Sequence, residues 1–445
     1  MAISTRLEGW KLPIEICERI VDIALEITPE IFSSAGGMGD RRLTALACAL
    51  VCRDWSWRAR YHLAQEIIAV SPASILQERK RREQWNITSR PHLWIDAQDA
   101  PISCVPVMLS TTMTKLISLT IVVYSHNLIN QKSVHLFSIA RQLTTLRLVM
   151  FESRTIDSLL SFLARFPKLR RFYLEIAWID AETKLLDSDT PNITLTHSRF
   201  KRISLSEIMI SLVDGVESAA ELNILTYLMR FTSSALTLTT VDISGCRPFM
   251  RLNLPTKGFV EACKSLRELT LPMHESTDNV IGGLRLNAHS ELEIITFRYK
   301  PEMITLSAAV FKHISTISEV ISTIESRKLH TIRFRISLPS DPNPDELDRN
   351  IAVLKGVGWD VLDEGTREQA VYRWVKEVLF DLDSGFRDGD RVLLIISSGI
   401  VQDLRSKLPY ATERGLLKVG FRRREFEPMQ YYIPGPGVLD DTHYY

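Results

Sequence analysis

Eight times between residues 116 and 334 the chain repeats one short pattern, apolar-x-x-apolar-x-apolar. It stands at Leu116/Leu119/Ile121, Leu143/Leu146/Leu148, Leu169/Phe172/Leu174 and Phe200/Ile203/Leu205. It continues at Leu238/Val241/Ile243, Leu266/Leu269/Leu271, Leu292/Ile295/Phe297 and Leu329/Ile332/Phe334. The last two apolar positions alternate as in a strand, whereas the stretches between the patterns have a helical period. Ile156, Leu159, Leu160, Leu163 and Phe166 share one helical face that Pro167 ends, and Val310, Ile314, Ile317, Ile321 and Ile324 do the same ahead of Leu329. A unit of helix, turn and strand buries its apolar side chains only when the next unit stacks on it. The pattern therefore predicts an α/β chain wound as a curved solenoid.

The successive starts lie 27, 26, 31, 38, 28, 26 and 37 residues apart. Four of these intervals fall in the ~20–29-residue window of leucine-rich repeats, and the pattern resembles an irregular member of that class. The asparagine or cysteine usual at the turn is mostly absent, Cys246 being the nearest case. Within each pattern the residue between the last two apolar positions points to the opposite face of the strand. This sets Thr120, Arg147, Tyr173, Ser204, Asp242, Thr270, Thr296 and Arg333 on one surface, with Arg298 and Arg335 two positions further along their strands. Eight strands at ~4.8 Å span ~35–40 Å, the scale of a protein face rather than a metabolite pocket. Arg147, Tyr173, Asp242, Arg298, Arg333 and Arg335 are the candidate target-binding residues, arginine and tyrosine being types that anchor interfaces.

Ahead of the repeats stand two apolar stripes. Pro13 suits a first helical turn, and behind it Leu12, Ile16, Ile20, Ile23 and Ile27 recur at helical spacing. Leu43, Leu46, Ala47, Leu50 and Val51 do likewise, followed by Cys52, Arg53 and Trp55. Leu-Pro-x-Glu-Ile followed by Leu-Val-Cys-Arg-x-Trp resembles the F-box. That family's small helical module docks on the Skp adaptor, and through it on the cullin, of an SCF-type ubiquitin ligase. By match to the motif, the resemblance implies adaptor contacts at Leu12, Pro13, Ile16, Ile20, Leu50, Val51, Cys52 and Trp55. Glu26 to Arg42, holding Ser33, Ser34, Gly36, Gly37 and Gly39, is longer than the family's usual connection.

Catalytic constellations do not emerge. His274-Glu275 has Asp278 where a zinc-protease helix needs its second histidine. Cys48 and Cys52, one helical turn apart with His62 beyond, fall short of four zinc ligands. Asp381-x-Asp383-x-Gly385 opens like a calcium loop but carries Val392 where the bidentate glutamate belongs. No Gly-x-Ser-x-Gly is present, and no cofactor or metal is implied. A formal net charge of +1 gives nucleic acid and anionic membranes no global attraction, and Arg79–Arg82, flanked by glutamates, reads as a solvated helix face. The six cysteines form no Cys-x-x-Cys pair, and no leader or spanning segment is seen, so a reduced cytoplasmic or nuclear setting is expected. Asn86-Ile87-Thr88 and Asn192-Ile193-Thr194 then read as chance sequons.

The expected organisation is an F-box-like helical module over 8–65, a connector over 66–110 and the solenoid over 111–338. A C-terminal cap or last repeats follow over 339–430, then a flexible tail over 431–445. Within 339–430 the composition predicts a helix around Arg367–Phe380, a buried strand at Val392–Ile396 and another near Leu417–Phe421. The expected function is that of a non-catalytic receptor: adaptor docking at the N-terminus and an unidentified protein target on the repeats. The alternative is a leucine-rich scaffold unconnected with ubiquitin, whose N-terminal helices only cap the array. An enzyme with dispersed catalytic residues is a third reading.

Overall fold

The structure is a computed structural model. It describes residues 13–27, 44–51, 53–69, 71–84, 92–96, 104–122, 136–153, 156–179, 198–212, 220–245, 253–273, 282–299, 314–337, 349, 352–363, 373–384 and 390–423. Leu12, Cys52, the glycine-bearing stretch between the two F-box-like halves and the C-terminal tail lie outside these residues.

The described strands form one twelve-stranded sheet in sequence order. They are β1 (Glu66–Ala69), β2 (His92–Asp96), β3 (Ser118–Val122), β4 (Thr145–Ser153), β5 (Arg171–Ile179) and β6 (Glu207–Leu212), then β7 (Thr240–Gly245), β8 (Glu268–Pro272), β9 (Ile294–Tyr299), β10 (Thr331–Ser337), β11 (Glu377–Ser384) and β12 (Leu417–Arg423). Every neighbouring pair is parallel. Parallel neighbours in strict chain order are the topology of a leucine-rich-repeat-like solenoid.

Register explains why the repeat works. One row of Cα partners runs Ile67, Leu93, Leu119, Leu146, Phe172, Ile208, Val241, Leu269, Ile295, Ile332, Val378 and Leu417. All but the last are buried. Two residues on, a second apolar row includes Phe297, Phe334 and Phe380, whose rings stack at 5.6 and 4.9 Å, and ends in Val419. Trp359 meets Phe334 and Phe380 edge-on at 5.4 and 5.0 Å.

Just before the strands a backbone ladder links the repeats. Ile117 O accepts from the N–H groups of Thr144 and Thr145, Thr144 O from Arg170 and Arg171, and Arg170 O from Ser206 and Glu207. The same double bond continues through Ser206, Thr239, Arg267, Glu293 and His330 to Lys376 and Glu377. Each turn thus satisfies the next turn's amides, which would otherwise be buried without partners. Helices return the chain between several strands, including Ile156–Leu163, Ala220–Phe231, Asn253–Ala262 and Ile314–Ser322.

Five expectations are corrected. Residues 66–110, read as connector, contain β1 and β2, which pair in register with β3. The pattern misses them because the position three before the first inward residue is Ala64 in one and Arg90 in the other. The fourth pattern, Phe200/Ile203/Leu205, falls on a 3-10 helix and turn, and the strand is carried by Leu205, Ile208 and Ile210. Two overlapping copies of the motif sit five residues apart there, and spacing alone cannot choose between them.

The repeat also does not stop at Leu338. Val375, Val378 and Phe380 continue it after a long insertion, and β11 pairs with β10. Of the predicted helix around Arg367–Phe380, residues 367–372 lie outside the described residues and Glu377–Phe380 belong to strand β11. Val392–Ile396 lies inside the helix Asp390–Lys407 rather than in a strand. A five-residue apolar run fits either state, and here it is the start of an eighteen-residue helix that returns the chain between β11 and β12.

Candidate functional site

The outward face of the sheet is the first candidate. Its central row holds Thr120, Arg147, Tyr173, Met209, Asp242, Thr270, Thr296 and Arg333 in register. Met209 takes the place expected of Ser204, which lies in the preceding turn and donates its hydroxyl to Thr237 Oγ1 at 3.1 Å. Trp94, Thr120 and Thr296 are buried, so the face is not evenly open.

The six target-binding candidates fall into two groups with Asp242 between them. Arg147 and Tyr173 are register partners on β4 and β5. The Tyr173 hydroxyl donates to Glu207 Oε1 at 2.5 Å, and burial, reinforced by that carboxylate, pushes the phenol well above its usual range. Asp242 is turned to its own strand: Oδ1 accepts from the amide of Ser244 at 2.9 Å and from its hydroxyl at 2.7 Å. The second group is Arg298, Arg333 and Arg335 on β9 and β10. Four strand steps of ~4.8 Å separate β5 from β9, about 19 Å in all.

Sequence reasoning missed the residue that organises the second group. Asp381 is buried on β11, in register with Arg335 and Arg298, and its Oδ2 lies 3.4 Å from Arg333 Nε. Asp381 and Asp383 belong to a strand, so the calcium-loop resemblance is broken by the fold. The signal was hidden because Asp381 stands 46 residues beyond Arg335, outside every local window.

The second candidate is the N-terminal helical module: α1 (Ile14–Ile27), α2 (residues 44–51) and α3 (Arg53–Gln65). Its first turn opens at Pro13, whose carbonyl accepts from Ile16 N at 3.0 Å and Cys17 N at 3.2 Å. A small core of its own gathers Val21, Ala45, Cys48, Ala59 and Leu63, with Ala49 and Trp55 packed against it. Burial raises the Cys48 thiol above its usual range.

This core uses the small residues of α2 and turns the large ones outward. Leu50 is 86% exposed, Val51 62%, Ile16 47% and Leu46 44%. Pro13 is exposed and Ile20 half-buried. Trp55 differs from the expectation of an adaptor contact in being half-buried against the module's own core.

Among the described residues no group of three His, Cys, Asp or Glu is placed to hold a metal ion. No described helix is long and apolar enough to cross a membrane.

No family model and no curated protein matches the chain. Among solved structures it is similar to an internalin from Listeria monocytogenes, at 11% identity and a TM-score of 0.27, over 60% of this chain and 66% of that one. The sheet order and register establish by themselves that the described strands form a leucine-rich-repeat-like solenoid.

Proposed function

We propose that the protein is a non-catalytic receptor that docks the Skp adaptor of an SCF-type cullin-RING ligase through its N-terminal module and holds a protein target on its sheet. The observation that carries this reading is the exposure of Ile16 on α1 and of Leu46, Leu50 and Val51 on α2. Large aliphatic residues left in water on two short helices mark a surface that a partner covers. At ~25 cal/mol per Å², covering ~500 Å² of apolar surface returns ~12 kcal/mol gross, enough for stable association after the costs of ordering. The F-box-like order of Pro13, Ile16, Leu50 and Val51, with Leu12 and Cys52, supports the adaptor as that partner. In this reading Trp55 holds the module together rather than touching the adaptor.

Co-purification of the full chain with the Skp adaptor tests this directly. The expected result is a stable complex that Leu50→Ser with Val51→Ser abolishes while the protein stays folded. Failure of the folded wild type to bind refutes the ligase assignment.

A second reading is favoured by one observation. Helix α3 ends at Gln65 and β1 begins at Glu66, without a linker. A module so joined also suits an N-terminal cap of an interaction scaffold, with no role in ubiquitin transfer.

A further inference from the structure

The turns that precede the strands carry a one-sided charge. The backbone ladder aligns Ile117, Thr144, Arg170 and Ser206 in successive turns. Lys115 and Lys168 stand two residues ahead of the ladder, Arg141 stands three ahead, and Arg170 is on it. Lys201 and Arg202 close the 3-10 helix of the turn that leads to β6. All six are exposed, and among the described residues none of them pairs with a carboxylate. Arg171 is not counted with them, because Glu207 stands opposite it in register.

The hydrogen-bond partners on this edge are neutral. Lys168 Nζ donates to Gln142 Oε1 at 2.6 Å, and Arg170 Nη1 donates to the Ser204 carbonyl at 3.0 Å. The Ser233 hydroxyl donates to the Lys201 carbonyl at 2.7 Å and so ties that turn to the next repeat. These bonds position side chains and turns without cancelling any charge.

The later turns are built the other way. Glu291 and Glu293 occupy the places of Lys168 and Arg170. Lys328 Nζ lies 2.5 Å from Glu291 Oε2, and Arg267 Nη1 lies 3.8 Å from Glu293 Oε1. One half of the edge is thus neutralised and the other left basic. Like charges in neighbouring turns, ~4.8 Å apart, repel one another until an anionic partner lies along them. The basic half ends at an apolar residue: Leu236, 69% exposed, whose carbonyl accepts from the Ser265 hydroxyl at 2.9 Å. From Lys115 to Leu236 the edge crosses four strand steps, about 19 Å.

We propose that this edge binds an acidic segment of a protein partner, an extended run of about six residues with several carboxylates and an aliphatic side chain at the Leu236 end. The cations follow one another from turn to turn, which suits carboxylates spaced along a chain. A single phosphate calls instead for guanidiniums converging on one point. Single-stranded nucleic acid is held by aromatic platforms between the cations, and among the described residues of these turns no aromatic side chain is exposed. The edge lies apart from the outward row around Tyr173 and from the exposed residues of α1 and α2, so it is a third contact surface.

Fluorescence anisotropy with the full chain tests this. The probes are a glutamate-rich peptide ending in leucine, its glutamine-rich counterpart, a glutamate-rich peptide ending in serine, and oligothymidylate of equal extended length. The first is expected to bind about tenfold more tightly than the glutamine-rich peptide. Arg141→Gln with Arg202→Gln, both at exposed side chains, should remove that preference at an unchanged melting temperature. Leu236→Ser should weaken only the leucine-ended peptide, several-fold. Lys328→Gln, in the neutralised half, should change nothing, and none of these substitutions should alter co-purification with the Skp adaptor.

Equal binding of the glutamate-rich and glutamine-rich peptides, or no binding of either, overturns the proposal. A loss in Lys328→Gln as large as that in the arginine pair makes the attraction a general one and also overturns it. Oligothymidylate binding as tightly as the acidic peptide, with the same dependence on Arg141 and Arg202, overturns it in favour of nucleic acid.

Discussion

Asp22 on the first helix receives the Arg58 guanidinium of the third helix at both oxygens, Nε to Oδ1 at 2.7 Å and Nη2 to Oδ2 at 2.8 Å. His62 Nε2 lies 2.8 Å from the same Oδ1. A module with so small a core depends on such a clasp, because apolar burial alone gives short helices little stability.

The hydrogen bonds from Arg58, with those to His62 opposing the effect of burial, hold the Asp22 carboxyl at about 2, below its usual 3.8. A depressed carboxyl stabilises the fold in full above its unfolded value and loses that contribution as the pH falls from about 3.8 through about 2. Asp22→Asn is expected to cost about 1.5–3 kcal/mol at neutral pH and to remove this acid dependence. Amide exchange in α1 and α3, followed from pH 5 to pH 2, reads both effects. Identical acid profiles for the two proteins would count against the clasp.

The inside-out packing of α2 makes opposite forecasts for neighbouring residues. Ala45→Leu forces extra volume against Val21 and Ala59 and should destabilise the module by about 1–3 kcal/mol. Leu50→Ala, at a side chain in water, should change stability by less than about 0.5 kcal/mol. Urea denaturation of the two variants decides whether the small residues or the large ones face the core.

Two glycines should answer alanine with opposite signs. A Cβ at Gly245 would lie 2.3 Å from Ser211 Cβ and 2.8 Å from its Cα, so Gly245→Ala must push β6 and β7 apart and lower the melting temperature. At Gly258, within a helix, an added Cβ meets nothing within 4 Å. Gly258→Ala should stabilise by about 0.4–1 kcal/mol. Thermal melts of both variants make the comparison.

The aromatic stack sets the strength of the last repeats. Phe334→Ala removes the ring between Phe297 and Phe380 and the edge contact to Trp359, at an expected cost of about 3–5 kcal/mol. In a solenoid the loss is felt by the nearest repeats first. Hydrogen exchange should therefore rise in β9 to β11 before it rises in β3 to β5, and a uniform rise would contradict nearest-neighbour coupling.

The sequence by itself determined the inward rows. Seven of the eight apolar patterns sit on strands whose inward residues are buried, because alternation dictates which side chains share a face. It also named Arg147, Tyr173, Asp242, Arg298, Arg333 and Arg335 as outward residues. Only the tertiary structure decided the register of the fourth repeat, where two overlapping motifs compete, the membership of β1, β2 and β12, whose partners supply what their own patterns lack, and that of β11, whose pattern lies beyond a long insertion.

The same limit governs the surfaces. Helical periodicity shows that α1 and α2 have apolar stripes, yet a stripe on a short helix fits a core or a partner equally well, and only packing set Ala45 and Cys48 inside and Leu50 outside. Asp381 joined Arg298, Arg333 and Arg335 through strand pairing across insertions. Periodicity is a property of neighbours in the chain, whereas a charge cluster is a property of neighbours in the sheet.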